Sequence, residues 1–188
     1  MEEPQLPPRK LMRRREGEGH VRFLTISCYR NLNLFASPAT RDGYAEHLKT
    51  TLEHDDSRDI RCVAWVVMPN HVHLLLQPPH DVTQTETLRR LNGSFSRLAL
   101  ARWRNLGVPG REVLDRITDS KRNLRFWQHG GGHDHNVRND KARHEIIRYI
   151  HENPVRRELC DLPTEWKWSS ACWYEGEPSI GPAIRPPA

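Results

Sequence analysis

Residues 60–78, IRCVAWVVMPNHVHLLLQP, limit the fold more than any other stretch of the chain. Two runs of aliphatic, β-branched and aromatic residues are parted only by Pro69-Asn70. Runs of this kind bounded by turn residues predict strands, here 60–68 and 71–78, and so short a break predicts a hairpin. The rest of the chain must then complete a sheet around that hairpin.

HVRFLTISCYR (20–30) alternates apolar and polar residues and predicts a first strand. A helix is expected through 44–54, with Ser37 or Thr40 as its cap. Residues 83–106 carry Leu88, Leu91, Phe95, Leu98 and Leu100 at mostly helical spacing, weakened locally by Gly93. A short strand is expected around 124–127, a glycine-rich loop at 129–136, and a helix over 140–154 that Pro154 ends. In the loop, the glycines suggest either a close backbone approach or an ordinary surface turn. The order β-α-β-β-α-β-α predicts an α+β fold, a ferredoxin-like (split βαβ) antiparallel sheet with helices on one face. The other face would be free to hold a substrate.

The chain divides into a basic flexible arm (1–19), a central domain (20–160) and a Trp-rich extension with a Pro-rich, partly disordered tail (161–188). In the extension, packing of Trp166, Trp168, Trp173 and Tyr174 onto the body is favoured over base stacking.

A net charge of +5 over 188 residues permits an anionic partner without requiring one. The cations cluster at Arg13, Arg14 and Arg15, at Arg89-Arg90 and at Arg156-Arg157. Each cluster is a candidate DNA-backbone contact, and the alternative for each is a solvated charged face. No apolar run approaches the roughly 20 residues of a membrane span, and no secretory signal is evident. Cys28, Cys62, Cys160 and Cys172 form no CxxC pair. They are expected to be reduced thiols in a cytoplasmic protein that does not bind membranes.

The chemistry centres on His71-Val72-His73. Successive strand residues face opposite ways, so the two imidazoles share a face and can reach one metal ion. Imidazole suits Zn, Cu, Fe or Ni better than Mg, so a Mg site would need added oxygen ligands. A half-buried pair without a ligand is the other reading. Tyr149 and Asn153 lie four apart on one helix face. A phenol needs help to act as a nucleophile, and a carboxamide oxygen is a competent hard ligand. On local pattern alone, a packed tyrosine and a helix-end asparagine remain the stronger reading. His133 and His135 are a rival metal pair in a loop poorly suited to a rigid cage.

GHVRFLTISCYR, AWVVMPNHVHLLLQP, FWQHGGGHDHN, IIRYIHENPVRRELC and EWKWSSACWYEG, in order from residue 19 to about 176, resemble the single-tyrosine transposases of small insertion sequences. The resemblance is greatest to their REP-associated branch, the RAYTs. It implies the HUH-endonuclease version of the ferredoxin-like sheet. His71 and His73 would be the HUH histidines, Tyr149 the catalytic tyrosine and Asn153 the position completing metal coordination. It further implies a divalent ion, Mg or Mn, and cleavage of single-stranded or hairpin DNA through a 5′-phosphotyrosine. The chain would act as a monomer or homodimer. Two departures stand out. His133-Asp134-His135-Asn136 replaces a common Tyr-Asp-Arg-Asn, and Glu158 stands where glycine is common. A non-catalytic single-stranded nucleic-acid-binding module is the alternative function. A structural zinc protein built on His133 and His135 is a third.

Overall fold

The computed structural model describes residues 20–53, 60–80, 82–130 and 132–187. The basic arm with Arg13, Arg14 and Arg15 lies outside the described residues. Four strands form one antiparallel sheet: β1 Val21–Ser27, β2 Arg61–Val67, β3 His71–Gln77 and β4 His133–Val137. Their order is β2-β3-β1-β4, that of the expected split βαβ sheet. β2 and β3 form the hairpin, from Val67↔Val72 to Arg61↔Gln77. Its turn closes with Met68 N–H on the His71 carbonyl at 2.8 Å and is tied to β1 by Cys28 N–H on the Asn70 carbonyl at 2.8 Å. A bulge between Cys62 and Ala64 makes Val63 the extra residue of β2.

Alternation along the strands divides the core in two. Leu24, Ile26, Trp65, Val67, Val72, Leu74 and Leu76 pack under α1 (Pro38–Glu53) and α3 (Ser94–Asn105), meeting Tyr44, Leu48, Phe95 and Trp103. Val21, Val66, Leu75 and Val137 pack on the other side with Ile150 of α5 (Asp140–Arg156), flanked by Ile146 and Ile147. The helices are therefore not confined to one face, as the sequence suggested. The apolar stripe of α5 has to be buried, and Val66, Leu75 and Val137 offer it an apolar surface on that face.

Three further expectations need correction. The fourth strand is β4, not 124–127. Leu124 and Trp127 make only isolated bridges, to Thr118 and Cys28, while Phe126 is buried in the aromatic core. The apolar signal there came from core packing, not from strand pairing. β4 overlaps the stretch read as a loop, and Gly132 lets it approach. At φ +80, a Cβ on Gly132 would stand 2.3 Å from the Thr25 carbonyl oxygen.

The helix over 83–106 is broken into α2 (Gln84–Leu88), a π turn (Arg89–Gly93) and α3. The wider turn frees carbonyls that side chains then satisfy. His47 Nε2 reaches Leu91 O and Trp127 Nε1 donates to Asn92 O, both at 3.0 Å. A short α4 (Val108–Arg116) follows, which the sequence reading missed.

Pro154 does not end α5, which runs to Arg156. So near the terminus the ring removes a single ladder bond. The exit is closed by Leu159 N–H on Pro154 O at 3.0 Å, with Glu158 left-handed at φ 55. That is the conformation for which glycine is favoured.

The carboxyl-terminal segment docks on the free edge of β2. Val67 N–H donates to Trp168 O (2.8 Å), Ser170 N–H to Trp65 O (3.0 Å) and Arg185 N–H to Cys62 O (2.8 Å). Trp166 Nε1 donates to Val67 O at 3.0 Å, and a short α6 (Ala171–Tyr174) follows. Trp166 and Trp168 thus pack, as favoured above, while Trp173 stays exposed, and the tail expected to be partly disordered covers an otherwise open sheet edge. All four cysteines are free thiols. Among the described residues, no helix is long and apolar enough to cross a membrane.

Candidate active site

β3 pairs with β1 so that His71 sits opposite Ser27 and His73 opposite Thr25. Both imidazoles therefore point away from the aromatic core, toward α5. His71 is 8 % exposed and His73 3 %. Their Nε2 atoms stand 3.1 Å apart, and Asn153 Nδ2 stands 3.2 Å from His73 Nε2. Rotation about the Asn153 Cβ–Cγ bond presents Oδ1 to the same point. The outward nitrogens are engaged: His71 Nδ1 meets Asn70 Oδ1 at 2.7 Å, and His73 Nδ1 meets Thr25 Oγ1 at 2.8 Å.

Burial, aided by the charge of Arg157, holds the His71 imidazole down at about 4. Burial, aided by His71, holds His73 at about 3. Both rings are neutral at pH 7, as metal ligation requires.

This donor set fits a divalent ion. Two imidazole nitrogens each about 2.1 Å from one ion at right angles stand about 3.0 Å apart. The observed separation is close to that, and each ring has the outer hydrogen-bond partner usual for metal-bound histidine. Asn153 can add an oxygen, which a hard ion needs beside two nitrogens.

Tyr149 stands one helical turn before Asn153. Its ring lies edge-on to His73 (centroids 5.4 Å) and to Phe23 (5.9 Å), and it is 37 % exposed. Tyrosine, histidines and asparagine thus meet within one chain. Arg156 lies over the Tyr149 ring at 5.1 Å and pairs with Glu152 at 2.6 Å. Arg157 is exposed near His71, whose proton affinity it lowers.

The remaining candidates are not brought to this point. Arg89 and Arg90 both engage Glu86 at 2.7 Å, in the helical layer over the opposite face. His135 is exposed on β4, and among the described residues no group of three or more His, Cys, Asp or Glu could hold a metal. Sequence reasoning missed Phe23, Thr25 and Asn70, which touch the rings of Tyr149, His73 and His71. Only the position of Asn70 directly before His71 hinted at one of them.

The chain matches the protein family described as "Transposase IS200 like" over residues 18–153. It belongs to that family. These are enzymes, and the matched span contains the whole constellation of His71, His73, Tyr149 and Asn153. A Haemophilus influenzae protein provisionally described as a REP-associated tyrosine transposase is 27 % identical over 123 residues, which is 65 % of this chain. The match spans 63 % of that relative's length, under two thirds. A solved structure of a REP-associated tyrosine transposase bound to a REP hairpin superposes with a TM-score of 0.61 at 20 % identity, covering 94 % of this chain and 93 % of that one. The likeness shows that the two share a fold. The family resemblance read from the motifs is borne out.

Proposed function

We propose that this transposase nicks and rejoins single-stranded DNA through a 5′-phosphotyrosine on Tyr149, with His71, His73 and Asn153 holding a divalent ion, Mg or Mn. The observation that carries the reading is the convergence of three ligand-type side chains within 3.2 Å, beside an exposed tyrosine. When bound, the ion would polarise the scissile phosphate and offset charge developing on its oxygens. The site's own residues do the rest. The Tyr149 hydroxyl oxygen forms a bond to phosphorus as the bond to the 3′-oxygen breaks. The phenolic proton leaves to water, and the departing 3′-oxygen takes one up. The phosphodiester count is unchanged, so a 3′-hydroxyl can reverse the step and join strands without another energy source. Phe23 and His73 hold the tyrosine ring, and Arg156 and Arg157 supply positive charge where a DNA backbone would lie.

The substrate we favour is hairpin-forming repeat DNA. The related structure carries a REP hairpin, and a base must be unpaired before it can be read and cut. Hairpin oligonucleotides incubated with Mg or Mn should give a covalent adduct on denaturing gels, lost with EDTA and in Tyr149→Phe. An adduct that persists in Tyr149→Phe, or none with any hairpin-flank substrate, would overturn the proposal. Binding that survives EDTA and both His→Ala changes, without adduct, would favour a non-catalytic binding module.

A further inference from the structure

Asn31, Asn70 and His71 form a hydrogen-bonded chain, of which the chemistry above uses only the His71 end. Asn31 Oδ1 accepts from Asn70 Nδ2 at 2.8 Å, and Asn70 Oδ1 stands 2.7 Å from His71 Nδ1. The corner at Asn31 is an unusual one. Arg30 (φ 51) and Asn31 (φ 57) are both left-handed, a conformation that asparagine tolerates better than most residues. It is pinned from two sides, by Cys28 N–H on Asn70 O at 2.8 Å and by Arg30 N–H on Gln128 Oε1 at 2.9 Å.

With Asn31 Oδ1 as the acceptor for Asn70 Nδ2, the chain runs in one direction. Asn31 accepts the Asn70 amide hydrogens, so the Asn70 carboxamide turns its oxygen toward His71. That oxygen can only accept. Nδ1 of a neutral His71 must therefore carry the hydrogen, which leaves the lone pair on Nε2, facing His73. A flipped Asn70 amide would set an NH2 group against Nδ1. It would then demand the opposite tautomer, with a hydrogen pointing into the ligand set.

We propose that Asn31 and Asn70 are positioning residues: the left-handed corner orients the Asn70 amide, and Asn70 holds His71 in the Nδ1–H tautomer with Nε2 bare toward the site. The use of that lone pair rests on reading His71 as a metal ligand, but the tautomer does not. The test therefore has two arms, run on the full chain. In the first, long-range 1H–15N correlation spectra of metal-free protein report the His71 tautomer. Wild type and Asn31→Asp, which keeps the acceptor, should show Nδ1–H. Asn70→Ala and Asn31→Gly should shift His71 toward Nε2–H. Asn31→Gly relieves the left-handed backbone while deleting the acceptor, so a loss there is not a folding defect.

In the second arm, titration calorimetry with Mn2+ should show binding weakened about 10- to 100-fold in Asn70→Ala. Asn31→Gly should lose several-fold, and Asn31→Asp should stay near wild type. An Nε2–H ring in the wild type, or an Nδ1–H ring undisturbed in both Asn70→Ala and Asn31→Gly, overturns the proposal. A wild type with the expected tautomer pattern but no Mn2+ uptake upholds the positioning and overturns only the metal reading.

Discussion

On β3, Val72, Leu74 and Leu76 point into the aromatic layer under α1 and α3, while His71, His73 and Leu75 point toward α5. One strand thus builds two different surfaces from alternate residues. The first is a layer of apolar and aromatic side chains, with Phe95 edge-on to Tyr44 at 4.9 Å and Trp103 stacked on Phe126 at 5.4 Å. The second mixes a small apolar cluster with buried polar side chains whose partners are Thr25, Asn70 and Asn153. The contrast shows how a small sheet can hold imidazoles at fixed positions. The apolar face anchors the backbone, and the polar face inherits that rigidity without having to supply the stabilisation itself.

Adjacent substitutions should separate the two roles. If His73 holds the proposed ion, His73→Ala should cut adduct formation by about 100-fold or more, since a bound ion would supply several kcal/mol of charge stabilisation. Leu74→Ala should do the reverse, costing about 2–5 kcal/mol of stability at a site that is fully buried. Adduct assays at 25 °C and urea unfolding, run on both variants, check the pair. Equal stability losses with equal activity losses would show that the faces are not separable.

The polar face should also set the acid limit of the metal-free protein. His71 is held at about 4 and His73 at about 3, chiefly by burial, and His151, which meets Ser170 Oγ at 2.9 Å, is held at about 4 by burial. Unfolding returns each to about 6.5, so between those values the unfolded chain binds more protons. Stability is therefore complete above pH 6.5 and falls as pH drops toward 4. The slope is at most about 1.4 kcal/mol per pH unit for each histidine. Melting in EDTA from pH 7.5 to 4.5 checks this, and His151→Phe should flatten the profile by one histidine's share.

A smaller effect is expected where α5 leaves the site. Glu158 is left-handed at φ 55, so Glu158→Gly should stabilise the chain by up to about 1 kcal/mol, or about 2–4 °C in melting temperature. A melting scan that shows a loss would mean that the Glu158 side chain does something its backbone does not reveal.

What could be read from the sequence follows the same division. The period-2 alternation of HVHLLL exposed both faces of β3 at once, and the four-residue spacing of Tyr149 and Asn153 exposed their shared helix face. That these two elements meet is a long-range fact no local pattern carries, and the family resemblance supplied it. β4 was illegible because its HDHNV is polar and its pairing depends on the backbone approach at Gly132, while the apolar residues at 124–127 went to the core. Asn31 and Asn70 were illegible for a different reason. Their role lies in amide orientation at a turn, which residue type alone does not specify.

The arginines give the finest test of the two faces. Arg157 stands near His71, while Arg89 is tied to Glu86 in the helical layer on the other side. If DNA lies along the α5 side, Arg157→Ala should weaken hairpin binding and reduce the salt slope by about one. Arg89→Ala should leave the slope unchanged and cost little stability, since its ion pair is exposed. Hairpin affinities measured by fluorescence anisotropy from 50 to 200 mM salt distinguish the two. An equal drop in slope for both variants would mean that the DNA wraps around to the helical layer. The charge clusters read from the sequence would then form one continuous path instead of two separate surfaces.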